Sequence, residues 1–531
     1  VTMRTLTRAA AAVAALVAGV VVAPTATATA APAPATPVPV AWHTCPADAL
    51  PTTMPPGERT KYSCADYNVP LDHDRPRLGT ISIAMLRRAA DSPTHRIGSL
   101  FLNPGGPGGS GFALPTVASR IVQPAVLDRF DIIGFDPRGI GRSTTLRCFA
   151  TAEDAAAVNA KIAAVPYTRK EIRDTIEGTR EYGQYCDRFA GPLLAHMSTQ
   201  DVARDLDLMR AGVGDDKLNY LGFSYGTLLG ATYVNLFPQR SRAIVLDGNV
   251  DPALRTSDGS EYDHQRTAGF EISLDAFLKE CDKAGPLCAY SGGARAKFDE
   301  SREYLKTHGP VKLSDGTEVT YGLFVSATGS ILYSRPELPD LARLLQELYD
   351  IIHPSLAPHP ALLAPGQAAS LLSGNTRLDN PDSPYTGDDS YAAVNCSDKP
   401  FHNKLTDVPR TADRWDREMP TYGRHGAWGD QALCAEWPVF ADRYAGPWDR
   451  KTPNPVLVFS NYNDPATRYQ FGQRMAAELG NSRLVSVDAF GHCILGDSTC
   501  TDRIAADYLV NLKVPAPGQV CAPDLPVFPK P

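Results

Sequence analysis

The sequence predicts an α/β fold with a mostly parallel sheet covered by helices on both faces, and three observations carry the prediction. Short, continuously apolar runs recur through the first half, at residues 80–86, 99–103, 130–135, 218–221 and 243–246; runs of this kind are strands buried on both faces. Helical patterns alternate with them: residues 199–211 place Val202, Leu206 and Met209 on one face, and 227–237 form a second helix directly after a strand. The rhythm returns late, with strands at 455–460 and 483–487 flanking a helix at 469–479. Those late strands are needed to finish the same sheet.

Between the two halves the rhythm stops. Helix-like runs such as 272–283 and 338–352, punctuated by proline and glycine, dominate residues 255–394. They read as a largely helical insertion above the C-terminal edge of the sheet, where such enzymes gather their functional loops, in preference to a separate tandem domain. The expected layout is a leader at 1–30, a Pro/Ala-rich tail at 31–40, sheet domain at 41–254 and 395–531, and the insertion at 255–394. Residues 375–389, polar and proline-containing, read as a mobile loop.

Arg4 and Arg8, the apolar stretch 9–23 and the small-residue site Ala26-Thr27-Ala28 match a secretory signal peptide. The apolar core is short for a membrane span, and no later run offers about 18 uninterrupted apolar residues, so no stable membrane association is expected once the leader is removed. Export favours disulfides among the eleven cysteines. Neighbours along the chain suggest Cys45–Cys64, Cys148–Cys186, Cys281–Cys288, Cys396–Cys434 and Cys500–Cys521, leaving Cys493 over. The absence of C-x-x-C and H-E-x-x-H speaks against a metal site. A formal charge of −7 gives no basic surface for nucleic acid. Oligomeric state is not legible.

The chemistry centres on Gly222-Phe223-Ser224-Tyr225-Gly226, between the strand 218–221 and the helix that follows. A G-x-S-x-G strand-to-helix turn holds a serine hydroxyl at its tip, and the flanking glycines remove side chains that would block the close packing. A serine needs a base, and the base an orienting acid. Asp464, after the strand 455–460 in Asn463-Asp464-Pro465, and His492, after the strand 483–487 in Gly491-His492-Cys493, sit on loops at strand ends, one α/β unit apart and in the order Ser, Asp, His. Asp247, ending the strand beside the elbow, competes with Asp464 for the role of acid. The oxyanion formed in acyl transfer needs fixed donors. The amide of Tyr225 supplies one; the glycine loop 103–111 after the strand 99–103 supplies the other, from Gly106 with Gly105 as substitute. That loop lacks the Gly-Lys-Ser/Thr ending of a phosphate cradle.

The glycine loop, Gly134-Phe135-Asp136-Pro137-Arg138-Gly139-Ile140-Gly141-Arg142-Ser143, the extended elbow Ser224-Tyr225-Gly226-Thr227 and Val245-Leu246-Asp247-Gly248 together resemble the secreted tripeptidyl aminopeptidases of actinobacteria, relatives of proline iminopeptidase among the α/β-hydrolase serine peptidases. The resemblance runs from about Trp42 to Cys521. It implies an α/β-hydrolase fold with a helical cap, the triad Ser224, Asp464 and His492, and removal of short peptides from free N-termini without a cofactor. Asp136 and Arg138 match a family motif that would buttress the oxyanion loop, or would simply form a structural ion pair. Three departures stand out: Asn103-Pro104 replaces the usual His-Gly, Cys493 replaces a frequent glycine, and Ala466-Thr467 replaces the Thr-Pro that often follows the acid.

The expected function is therefore a secreted serine aminopeptidase acting on peptide or protein N-termini through an acyl-enzyme. A carboxylesterase on the same fold is the enzymatic alternative, because only the cap separates the two. A catalytically silent surface binding protein is the alternative from another class. An aminopeptidase must also bind the substrate ammonium, and cap carboxylates such as Glu261, Asp263, Glu271, Glu318 and Glu337 are natural partners for it.

Overall fold

Strands buried on both faces assemble into one large sheet in the computed structural model, which describes residues 38–354, 363–364, 366–373 and 389–530. The expected leader, most of the tail and all but the last residue of the expected loop 375–389 lie outside the described residues. In chain order the strands are β1 (Tyr62–Pro70), β2 (Thr80–Arg88), β3 (Gly98–Asn103), β4 (Phe130–Phe135), β5 (Leu218–Phe223), β6 (Ser241–Asp247), the short hairpin β7 (Val311–Lys312) and β8 (Glu318–Val319), then β9 (Val456–Asn463), β10 (Ser482–Phe490) and β11 (Val520–Cys521). All but the hairpin join a nine-stranded sheet of order β1-β2-β4-β3-β5-β6-β9-β10-β11. β1, β2 and β4 pair antiparallel, and every pairing from β4 onward is parallel.

Period-two alternation sends successive side chains into two different cores. Phe101, Tyr220, Ile244, Leu246 and Val458 meet the helices Thr199–Gly212, Gly226–Leu236 and Tyr469–Glu478 on one face. Leu100, Leu102, Val245, Leu457 and Phe459 meet Pro124–Arg129 and Thr499–Asn511 on the other. The face of Val202, Leu206 and Met209 is buried, as its spacing requires.

Among the described residues no strand of the main sheet lies between β6 and β9; helices from Pro252–Ser257 to Asp430–Ala435 fill that interval. They carry their own apolar core, in which Leu274, Phe277, Phe298, Phe324 and Leu345 are buried together. Trp415 and Trp428 centre a further cluster. No described helix is long and apolar enough to cross a membrane.

All five neighbour pairs form disulfides, and Cys493 remains a thiol. Cys396–Cys434 spans 38 residues and ties the helix Ser390–Asp398 to Asp430–Ala435. Closing a loop of that length in the unfolded chain stabilises the fold by about 4 kcal/mol. Replacing both cysteines by serine is expected to lower urea-unfolding stability by about that amount, and an unchanged midpoint would show that the helices hold each other without the crosslink.

Candidate active site

β5 runs straight into the turn that carries Ser224, which adopts a left-handed backbone with φ 55°. A non-glycine residue persists there only when its surroundings impose it. Here they do: a Cβ on Gly222 would lie 2.5 Å from the Gly226 carbonyl oxygen, so strand and helix close on each other only without a side chain at 222, and a Cβ on Gly226 would lie 2.7 Å from Asn103 Oδ1 at the start of the glycine loop. The Ser224 amide donates to the Asp247 carbonyl (2.9 Å), anchoring the elbow to the end of β6.

The glycine loop lies directly against this turn. A Cβ on Gly105, whose φ is +91°, would come 2.8 Å from Ser224 Cβ and 3.0 Å from the Tyr225 nitrogen. The two expected oxyanion segments thus face each other across the serine. Gly105 N–H donates to Asn103 Oδ1 (3.0 Å), so the asparagine side chain pins the start of the loop and leaves Gly106 as the amide of the two without an acceptor among the described residues. The Gly106 and Tyr225 amides have no protein acceptor among the described residues. Tyr225 is fixed from its far end, its hydroxyl hydrogen-bonded to Thr199, whose own hydroxyl donates to Asp398.

His492 stands two residues beyond β10. Its Nδ1 lies 2.9 and 3.1 Å from the two Asp464 carboxylate oxygens, an arrangement that keeps the Nδ1 proton on that side and frees Nε2 as the basic nitrogen. His492 Nε2 is buried with no hydrogen-bond partner among the described residues, and no hydrogen bond joins it to Ser224. Such contacts are commonly long before substrate binds. Asp464 is held in turn by the amides of Ala466 (2.9 Å) and Thr467 (2.8 Å) and by the Thr467 hydroxyl (2.9 Å). The Ala466-Thr467 departure therefore closes a turn around the carboxylate, and Thr467 is a supporting residue that its position next to the acid could have flagged.

Asp247, the rival acid, does not reach the imidazole with a hydrogen bond. Its Oδ2 accepts the amides of Ile494 and Leu495, each at 2.9 Å, and its carbonyl accepts the Cys493 thiol at 3.4 Å. Burial pushes that thiol well above its ordinary pKa, as do the carboxylates of Asp247 and Asp464, so Cys493 is an uncharged wedge and not a reactive thiolate. Asn461 on β9 adds a second clamp, donating to the carbonyls of Gly491 (3.0 Å) and Cys493 (2.8 Å). A third comes from the helical layer, where the Tyr333 carbonyl accepts the His492 amide (2.8 Å) and the Tyr333 ring stands edge-on to the imidazole at 5.1 Å.

Asp136 and Arg138 part company. Asp136 accepts the Ser110 hydroxyl (2.6 Å) and the amides of Phe112 (3.1 Å) and Arg142 (2.7 Å), and so braces the far end of the glycine loop. Arg138 makes a bidentate pair with Asp205, both bonds at 2.7 Å, and donates to the carbonyls of Pro70, Leu71 and His196. It ties β1 to the helix Thr199–Gly212; it bonds neither Asp136 nor the loop.

A cavity of about 410 Å³ opens beneath the helical layer, its wall including Asp263, Arg266, Tyr333, Tyr391, Trp428 and Asp430. It touches the serine's surroundings from two sides, through Tyr333 against His492 and through Tyr391, whose amide would lie 3.1 Å from a Cβ on Gly108 of the glycine loop.

Burial pushes the Asp247 carboxyl up to about 6. An unfolded aspartate titrates near ~3.9, so ionising Asp247 in the fold costs about 3 kcal/mol; that stability is fully present below pH ~4 and lost as pH rises through about 6. Asp247→Asn cannot ionise. Its urea-unfolding stability relative to the wild type is therefore expected to improve by about 3 kcal/mol between pH ~3.5 and ~7.5, whereas a constant difference would mean the carboxyl ionises as easily folded as unfolded.

The sequence matches the family described as alpha/beta hydrolase fold over residues 98–272 and the one described as TAP-like protein over residues 419–521. It is 32% identical over 504 residues to "Serine protease Hip1" of Mycobacterium tuberculosis, covering 91% of each chain. It is 31% identical over 494 residues to "Carboxylesterase B" of the same organism, with 91% of this chain and 90% of that one covered. It is 29% identical over 503 residues to "Tripeptidyl aminopeptidase" of Streptomyces lividans, at 91% and 87%. With its parallel sheet and its serine at the strand-to-helix turn, the chain belongs to the TAP-like branch of the α/β-hydrolase family.

Proposed function

We propose that the protein is a secreted serine exopeptidase that releases short peptides, tripeptides on the family resemblance, from free N-termini. The observation that carries the reading is the Asp464–His492 pair with Nε2 unpartnered among the described residues, on a loop whose Cys493 shares the Asp247 carbonyl with the amide of the elbow serine, next to two unclaimed amides. In the proposed reaction His492 Nε2 takes the Ser224 hydroxyl proton as Oγ bonds to the scissile carbonyl carbon, and the oxygen of that carbonyl becomes negative between the Tyr225 and Gly106 amides. Collapse breaks the C–N bond, and His492 returns the proton to the departing amine. Water then attacks the Ser224 ester with the same base, freeing the acyl peptide. Asp464 stabilises the imidazolium in both halves.

The peptidase names of two relatives support a peptide substrate, and five disulfides fit an extracellular location. The cavity of about 410 Å³ walled by Tyr333 and Tyr391 is the space in which we place the substrate's N-terminal residues. Carboxylesterase activity is the second reading, favoured by the relative of that name.

Turnover of a free-amine tripeptide p-nitroanilide, compared with its N-acetylated form, separates the two. The exopeptidase is expected to cleave the free form with kcat/KM roughly 100-fold higher, about 3 kcal/mol of transition-state discrimination. An esterase would hydrolyse simple acyl esters and ignore the amine. Ser224→Ala should lose on the order of 10⁴-fold or more in kcat, and Asp464→Asn on the order of 10³- to 10⁴-fold. Full turnover in the serine variant would end the assignment, and failure of a fluorophosphonate to label the wild type would favour a silent binding protein.

A further inference from the structure

We propose that Asp263 is the anchor for the substrate's α-ammonium, an inference that rests on the exopeptidase reading and names the group that makes it specific. Of the cap carboxylates the sequence offers, the structure disqualifies four. Glu271 is committed to the amides of Thr421 (2.6 Å) and Tyr422 (2.8 Å); Glu261 is exposed and accepts from Gln265 (2.7 Å); Glu318 and Glu337 are exposed. Asp263, on the helix Gly259–Ala284, is 4% exposed and lies in the wall of the cavity that Tyr333 and Tyr391 join to His492 and the glycine loop.

Its hydrogen bonding is half finished. Oδ1 accepts Lys399 Nζ at 2.7 Å, while Oδ2 is buried with no partner among the described residues. Lys399 is shared with a second wall carboxylate, Asp430. Close by are Arg266, which donates to the Tyr333 hydroxyl at 3.3 Å, together with Arg255 and Asp398. Asp263, Asp430 and Asp398 match Lys399, Arg255 and Arg266 in number, so the cluster carries no formal excess of positive charge. A buried carboxylate oxygen without a donor is costly, and an ammonium with three N–H donors removes that cost. The same wall presents Trp428 Nε1, a donor suited to a peptide carbonyl and without an acceptor among the described residues, and it includes the aromatic residues Tyr333 and Tyr391.

The position fits the chemistry. Arg266 holds Tyr333 and Tyr333 stands against His492, so a peptide whose amine reaches Asp263 has its chain directed past that ring toward the serine. An anchor held at a fixed distance from the serine also sets how many residues are released.

The test compares the ratio of kcat/KM for the free-amine and N-acetylated tripeptide p-nitroanilides in the wild type, Asp263→Asn and Asp263→Glu. Asp263→Asn is expected to collapse the ratio at least tenfold, chiefly through KM for the free-amine substrate, while Asp263→Glu, which keeps the charge and the Lys399 pairing, retains most of it. If Asp263→Asn does not fold, the glutamate variant carries the test: a moved carboxylate should shift the preferred acyl length measured with di-, tri- and tetrapeptide anilides, and an unaltered length profile overturns the proposal. A wild-type preference that survives Asp263→Asn overturns the anchor and leaves the exopeptidase standing. A wild type that does not discriminate at all removes both.

Discussion

Asp247 is the residue on which the geometry of the site depends. Its carbonyl takes the amide of Ser224 and the thiol of Cys493, and its carboxylate takes two further amides of the loop that bears His492. The proposed nucleophile and base come from strands that are not neighbours: β5 carries Ser224 and β10 leads to His492, with β6 and β9 between. A fully buried group at the end of β6 spans that gap by bonding both loops at once. The arrangement accepts the expense of a desolvated carboxylate in return for fixed relative placement, a trade typical of sites that must be organised before substrate arrives.

Around this tie, each member of the site is held by groups that do not react. Asn461 and Tyr333 clamp the His492 loop, Thr467 closes over Asp464, Thr199 and Asp398 fix Tyr225, and Asn103 and Asp136 hold the two ends of the glycine loop. Every one of these supports is a hydrogen bond in a buried or half-buried setting, where an unmade bond is expensive and geometry is consequently well determined.

The elbow was readable because its signal is local: two glycines around a serine between an apolar strand and a helix. The loops of Asp464 and His492 were readable as strand ends. Choosing Asp464 over Asp247 required knowing which strand end His492 leans toward, and that depends on sheet order, which residue spacing leaves open. β1 escaped notice because it is an edge strand in which Asp66 and Asn68 face outward, so its pattern is too polar for a two-sided run. The helix Arg169–Phe189 buries Thr175, Gly178, Thr179 and Gly183, a small-residue face that gives no apolar stripe to find. Arg138 looked like a partner for Asp136 because they are two residues apart, yet both lie past the end of β4, and each finds its partners elsewhere: Asp136 in Ser110, Phe112 and Arg142, and Arg138 in Asp205. The choice among cap acids was closed to sequence altogether, since Asp263 and Lys399 meet across 136 residues.

The bond from the His492 amide to the Tyr333 carbonyl carries a consequence for anyone who would exchange parts between relatives. The roof is usually treated as a removable module that selects substrates while the floor beneath performs the reaction. In this protein one peptide group of the roof is a fixed point for the floor's imidazole, so grafting a foreign roof, or trimming this one, would retune the basic machinery along with the specificity, and a chimera that loses turnover has not thereby lost its ability to recognise its substrate.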